Sequence, residues 1–517
     1  MKLVFVLFDS LVKNALGCYG SLNIETPNFN RFCERSITFD NHYVGSLPCM
    51  PARRDLHTGR LNFLHRSWGP FEPFDHSFSE ILRSNGTYTH LVTDHYHYFE
   101  DGGSTYHNRY SSWDFVRGQE WDKWRAMIDP PIERFKKLYH SEQLPLGGDN
   151  VLSDGRLQCM INREYMKKEK DYCCPRVFDS GMGFLKNNAE SDNWILHLEC
   201  FDPHEPFSAP PRFKERYKTG YIGPVFDWPR YKRSEETEML AQEMRANYAA
   251  LVSMCDEYFG KLLDFFDTSK LWSNTALILT TDHGFMLEEH EWWGKNRMPF
   301  YNEISNIPLI LYHPKKNQKG GTRIKSLTQA TDLMPTILDI FGVSPPNHVE
   351  GKSLMQLTDH DRKIREGAMF GMFGAGTNVT DGRFTYFKYP EDMTKTDLFD
   401  YTLMPMRQKS LYDLDVLKDA RLINDFKFTR GVPLLKIPAR RNKKGQPVGH
   451  FGQGGGYDDT NTVLFDLEKD PNQNYPFRDK ASESRLSSLL ADLMKKNEAP
   501  PEAFARLGME IPEDKSL

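Results

Sequence analysis

The chain carries three near-continuous apolar runs, each closed by polar residues. They are Leu3–Phe8 ending at Asp9, Trp194–Leu198 leading to Asp202-Pro203-His204, and Ala276–Leu279 running into Thr280-Thr281-Asp282-His283-Gly284. Runs without polar alternation fit strands covered by helices on both faces. Between the last two lies the segment from Asn247 to Phe266, where Leu251, Cys255, Tyr258 and Leu262 form one stripe at helical spacing. Strands alternating with helices predict an α/β fold with a large, mostly parallel central sheet sandwiched by helices. In such sheets ligands gather beyond the carboxyl ends of the strands. All three runs place acidic or imidazole groups at that rim.

The pattern changes along the chain. Residues 100–190, with Trp113, Trp121 and Trp124, read as an irregular, aromatic-rich excursion from the sheet. A helical stretch from Leu333 to Phe341 precedes Pro345-Pro346. After about residue 365 the segments become short and alternating, as in Phe384-Thr385-Tyr386-Phe387. The expected division is a main α/β domain at 1–365 and a smaller C-terminal subdomain and tail at 366–517, with a short antiparallel sheet. The basic run Arg440-Arg441-Asn442-Lys443-Lys444 and the glycines at 452–456 read as a loop.

Composition narrows the class. At 39% hydrophobic, 26% charged and 13% aromatic the chain is globular, and a net charge of −5 gives no whole-chain attraction to nucleic acid or an anionic membrane. No apolar run is long enough to cross a bilayer. The first apolar run ends directly in Asp9 with no small-residue cleavage site, unlike a secretory signal. If Met1 is the native start, the expected location is the cytoplasm, where the eight cysteines would stay reduced.

The strongest chemical signal is Cys49-Met50-Pro51-Ala52-Arg53 followed by Thr58-Gly59-Arg60. Pro51 suits the first turn of a helix beginning near Cys49, whose amino end favours an anion. Taken alone, Cys49 is equally a buried cysteine before a helix start, and Asp9 a turn or cap residue. Together, Cys-x-Pro-x-Arg with Thr-Gly nine residues after the cysteine resembles the signature of the type I, formylglycine-dependent sulfatases of the alkaline phosphatase superfamily. The resemblance implies that a formylglycine-generating maturation enzyme oxidises Cys49 to an aldehyde. Its hydrate attacks sulfur, and the resulting hemiacetal sulfate collapses by expelling sulfate, a covalent route that divides one hard step into two.

The same resemblance assigns further residues, in the family's order along the chain. Asp9, Ser10, residue 49, Asp282 and His283 would hold one divalent metal. Calcium is the first expectation, with manganese or magnesium open because Ser10 stands where many sulfatases have a second aspartate and His283 where others use asparagine. Arg53 would hold the nucleophile and the metal acids, His204 in Asp202-Pro203-His204-Glu205-Pro206-Phe207 would protonate the leaving alcohol, and Lys295 after Gly294 would bind sulfate. Many sulfatases carry Gly-Lys-Trp-His after the counterpart of Asn85-Gly86. Here the stretch is Thr93-Asp94-His95-Tyr96-His97-Tyr98, which leaves the base of the second half-reaction among His95, Tyr96 and His97. His97 is taken as the catalytic candidate and His95 as a pocket contact. His65, Arg66 and Trp68 are candidate contacts to a sulfated sugar.

The expected activity is hydrolysis of a small sulfate ester, most naturally a carbohydrate sulfate, with aryl and choline sulfates as other members of the class. A phosphonate monoester or phosphodiester hydrolase of the same superfamily is the nearest rival. A non-catalytic binding protein on the same fold is favoured only by Ser10 and Asp94. A tail such as Ser484–Leu517 is a candidate for exchange in a homo-oligomer.

Overall fold

The computed structural model describes residues 1–144, 155–296, 299–316, 319–393, 395–407, 409–441 and 461–513. Its centre is an eight-stranded sheet of β1 (Lys2–Phe8), β2 (Ile37–Phe39), β3 (Tyr88–Thr93), β4 (Ser112–Phe115), β5 (Trp194–Cys200), β6 (Thr275–Thr281), β7 (Leu309–Tyr312) and β8 (Thr322–Ile324). The spatial order is β8-β2-β7-β6-β1-β5-β3-β4. The three predicted runs are thus its three central neighbours, β6, β1 and β5. They pair in parallel, whereas β7 runs antiparallel to both β6 and β2.

All seven residues of β1 are buried, and their alternation divides the interior in two. Val4, Val6 and Phe8 face a core built with helices α1 (Pro27–Arg35), α4 (Cys173–Asn188) and α5 (Glu238–Thr268). Leu3, Phe5 and Leu7 face the opposite core, built with α2 (Cys49–Thr58), α3 (Phe78–Ser84) and α6 (Leu333–Ile340). At about 1.5–3 kcal/mol for each large side chain fully buried, this doubly covered strand anchors Asp9 at its end.

Register decides what meets at the rim. Phe8 is the partner of both Cys200 and Thr281, so Asp9 and Asp282 emerge side by side, one residue beyond the same line. Thr93 is opposite Glu199, which brings the start of the 94–98 segment to the same edge.

The expected excursion is more regular than its sequence texture. Residues 100–190 supply the edge strand β4 and the crossover helix α4, which packs beneath β5. The pattern of α4 was masked by Pro175, Gly181 and Gly183. Gly181 has a packing reason: a Cβ there would sit 2.5 Å from the Leu198 Cδ1.

Beyond residue 366 a five-stranded sheet joins Ala368–Met372, Thr377–Thr380, Phe384–Lys388 and Val463–Asp466 to the two-residue strand Ser46–Leu47, which precedes Cys49. Ser46–Leu47 lies parallel to Ala368–Met372, and the later strands are antiparallel. Helix α7 (Lys480–Lys496) covers this sheet, with Leu486, Leu490 and Met494 buried against Met369, Val379 and Leu464 of the same chain. Within the stretch considered for subunit exchange, Leu486, Leu490, Met494, Phe504 and Leu507 are buried on their own chain. Arg441 reaches Asp397 at 3.1 Å. The rest of the basic and glycine-rich loop, 442–460, lies outside the described residues.

Candidate active site

Helix α2 starts at Cys49 and ends at Thr58, with Gly59 in the left-handed conformation at its carboxyl end (φ +67°). The Thr-Gly half of the motif is a helix stop: Thr58 Oγ1 donates to the Arg54 carbonyl, and the Gly59 carbonyl accepts from the Glu350 and Gly351 amides. Because Arg53 follows Cys49 by four residues, both side chains lie on one helix face, aimed at the strand ends.

Arg53 is the hub of the floor. Its Nε donates to Glu199 Oε1 at 2.6 Å, its Nη1 to Asp282 Oδ2 and to the Cys49 carbonyl, and its Nη2 lies 3.0 Å from Asp9 Oδ2. One planar guanidinium thus joins the ends of three parallel strands, a geometry that an ammonium cannot reproduce. Glu199 also accepts from Thr93 Oγ1 at 2.9 Å and Tyr98 at 3.2 Å. Its role was legible as a lone carboxylate inside Trp-Ile-Leu-His-Leu-Glu-Cys, where a buried charge requires a partner.

Ligating atoms of Asp9, Cys49, Asp282 and His283 all lie within 4.8 Å of one another, and all four residues are buried. Cys49 Sγ is 3.2 Å from His283 Nε2, while His283 Nδ1 faces the Gly284 carbonyl at 2.9 Å. Ser10, at φ +62°, donates its Oγ to Asp9 Oδ1 at 2.7 Å and its amide to Asp282 Oδ1 at 3.1 Å. Lys295 Nζ donates to Ser10 Oγ at 2.9 Å and stands 3.7 Å from Asp9 Oδ1.

Burial opposes the ionisation of Asp9, but Lys295 and Arg53 outweigh it and hold its carboxyl well below the usual range. Burial, reinforced by the Asp9 charge, raises Asp282. Burial lowers His283 to about 4, which keeps the imidazole neutral as a ligand must be. The same two influences, burial and then Asp9, push the Cys49 thiol well up, so an unmodified Cys49 is a protonated thiol at neutral pH.

The donor set fits a hard divalent cation. Asp9 Oδ2 is buried with no hydrogen-bond partner, and three carboxylates face two cations, Arg53 and Lys295. The remaining donors are carboxylate oxygens, a neutral imidazole and residue 49.

The other predicted residues divide between the site and its surroundings. His204 lies buried against Phe201, its Nδ1–H donating to the Glu205 carbonyl at 2.5 Å. His95 Nε2 is 3.8 Å from Asp9 Oδ2, and neither ring nitrogen has a hydrogen-bond partner. His97 is tied through Nδ1 to Glu100 at 2.6 Å and lies edge-on to Trp68. Tyr96 donates to Glu120 at 2.6 Å. Asp94 points elsewhere: it accepts from the Phe201 amide at 2.6 Å and from Gln119 at 3.0 Å. His65 and Arg66 are committed to the seam with the C-terminal residues. His65 is packed among Tyr401, Phe426 and Phe428 with Nε2 at 2.9 Å from the Glu498 carbonyl. Arg66 binds Glu72, Thr402 and the Met406 carbonyl.

The model of the family described as "Sulfatase" matches residues 2–343, about two thirds of the chain. The chain belongs to the sulfatase family. It is a sulfuric-ester hydrolase on an alkaline phosphatase superfamily fold. A second model, for the N-sulphoglucosamine sulphohydrolase C-terminal region, matches residues 288–424. Among curated proteins the sulfatase is similar to an N-acetylglucosamine-6-O-sulfatase of Bacteroides thetaiotaomicron, at 24% identity over 415 residues, covering 70% of this chain and 71% of the relative. Among solved structures it resembles a protein in complex with its substrate D-glucosamine-2-N,6-O-disulfate, with TM-score 0.65, 16% identity and 97% and 98% of the two chains covered. It also resembles the phosphonate monoester hydrolase of Agrobacterium radiobacter, with TM-score 0.62, 16% identity and 96% and 95% covered. At these identities the solved structures establish the shared fold. Among the described residues, no helix is long and apolar enough to cross a membrane.

Proposed function

We propose that this sulfatase removes sulfate from a small carbohydrate ester, using formylglycine at position 49 and one divalent metal. The observation that carries the reading is the convergence of Cys49, Asp9, Asp282 and His283 above Arg53, with Lys295 beside them. Asp9, Ser10, Asp282, His283 and residue 49 would hold the metal, calcium first, with manganese or magnesium also compatible with a site that includes an imidazole. The metal would supply positive charge to ionise the nucleophile and polarise the sulfate oxygens. Formylglycine, as its hydrate, supplies the attacking oxygen and lets sulfate leave with return of the aldehyde.

The chain's own residues do the rest. Arg53 fixes Asp9, Asp282 and Glu199 in one array and, through the Cys49 carbonyl, fixes the start of α2. Lys295 binds the sulfate as a point charge. The Glu205 carbonyl holds His204 in the tautomer with Nδ1 protonated, so a proton gained at Nε2 is the one passed to the departing oxygen. His95, close to Asp9 and with both ring nitrogens free of protein partners, is better placed than His97 to take the proton in the second half-reaction.

The test combines mass and rates. Protein co-expressed with a formylglycine-generating enzyme should yield a residue-49 peptide with the mass of aldehyde or hydrate. It should then hydrolyse carbohydrate sulfates faster than matched phosphonate monoesters. An unmodified thiol, with the maturation enzyme active on a control, would sink the mechanism. Faster phosphonate hydrolysis would transfer the assignment to the phosphonate hydrolases.

A further inference from the structure

The side of the site around His204 holds more acid than its cations balance. Carboxylate oxygens of Glu120 and Glu205 and a ring nitrogen of His204 lie within 4.8 Å of one another. Glu120 arrives from the 100–190 excursion, is only 8% exposed, and accepts from Tyr96 at 2.6 Å. Glu205 is 3% exposed and accepts from Tyr231 through Oε1. Its Oε2 is buried with no hydrogen-bond partner, 3.4 Å from His204 Nδ1 and 3.9 Å from Lys295 Nζ.

Among the described residues, two lysines are near. Lys295 is claimed by the sulfate, and Lys409 lies 3.7 Å from Glu100 and 4.2 Å above the ring of Trp121. Burial, then the Glu205 charge, pushes Glu120 up to about 8, with Lys409 opposing only in part. Once a sulfate occupies Lys295, the Glu120 and Glu205 carboxyls beside His204 keep little protein charge to answer them. Trp121, which follows Glu120 in the chain and is partly exposed, carries the Lys409 ammonium 4.2 Å above its ring.

We propose that Glu120 and Glu205 form a cation subsite beside His204, so that the preferred substrate is the sulfate ester of an alcohol bearing an ammonium group, such as a free amino sugar. This rests on the reading of His204 as the group at the leaving oxygen. An ammonium offers three donors and full charge to a pair that is otherwise costly to ionise. A neutral analogue of the same shape leaves a buried acceptor unpaired, which corresponds to about 10- to 100-fold in kcat/KM.

The test uses the metal-loaded, matured enzyme with D-glucosamine 6-sulfate and D-glucose 6-sulfate, and calorimetric binding of D-glucosamine and D-glucose. Wild type should favour the amine in both assays by at least tenfold, and Glu120→Gln should bring the ratio close to one. Equal handling of amine and neutral sugar by wild type overturns the proposal, as does a Glu120→Gln variant that weakens both alike. Should the variant fail to fold, the wild-type ratios decide alone. Binding reads the subsite without turnover, and 4-nitrophenyl sulfate hydrolysis reports separately on the sulfatase mechanism. Loss of that hydrolysis with an intact amine preference would therefore spare the subsite.

Discussion

The floor of the site and the side around His204 are built by different rules. On the floor, Asp9, Glu199 and Asp282 come from three adjacent parallel strands, and one guanidinium is ion-paired with all three. Beside His204 the groups come from loops: Glu120 from the long excursion, and His204 and Glu205 from the segment after β5. Each region keeps a buried oxygen without a hydrogen bond, but Asp9 Oδ2 on the floor lies 3.0 Å from the Arg53 guanidinium, whereas Glu205 Oε2 lies 3.9 Å from the Lys295 ammonium. Sheet register fixes the floor, where the proposed mechanism places the sulfate, and loops set the side where it places the variable alcohol.

The largest effect is expected at Arg53. Arg53→Met strands three buried carboxylates, so a stability loss of about 3–5 kcal/mol and loss of activity are expected in denaturant melts and sulfate-release assays. Arg53→Lys should recover part of the stability but little rate, because it restores charge without the fork. A Met variant as stable as wild type would dissolve the distinction between floor and rim.

Lys295→Ala should reduce kcat by about 10²–10³, measured by sulfate release. A loss confined to KM would instead make Lys295 a uniform binder. A chelator should abolish turnover and lower the melting temperature. Returning metal at a hundredfold excess over its Kd should restore about 2.7 kcal/mol.

The loop side predicts a pH signature. Burial lowers His204 to about 4, against the opposing charges of Glu205 and Asp9. An acid must be protonated to donate, so kcat/KM for an alkyl sulfate should fall about tenfold per unit as pH rises above that value. An aryl sulfate whose leaving group needs no proton should show a flatter limb. Glu205→Gln should move the alkyl limb to lower pH, and identical profiles for the two esters would remove His204 from this role. The smallest effect is expected in the seam: His65→Ala should cost about 1–3 kcal/mol of stability through the unpaired Glu498 carbonyl and lost packing, with kcat/KM within about twofold of wild type.

Much of this was legible in the chain because sheet strands and a short helical motif are local. The unbroken apolar runs gave β1, β5 and β6 and their polar ends, and Cys49-x-x-x-Arg53 put the cysteine and the hub on one helix face. Gly59 announced the helix stop. The excursion was harder to read because Gly181 and Gly183 weaken the helical pattern of α4, although close packing against Leu198 is the reason for Gly181. His65 and Arg66 looked like sugar contacts because cations and aromatics beside a motif read the same whether they face a pocket or a seam.

The order of a cysteine, an arginine, two aspartates and a histidine along the chain was enough to read the family. What the tertiary structure decided was adjacency. It set Glu199 under Arg53, separated Asp94 from the pocket, distinguished His95 from His97, and carried Glu120 from the excursion to within 4.8 Å of Glu205 and His204. The reason is that strand identity follows from neighbouring residues, whereas strand register and loop return depend on packing between segments far apart in the chain.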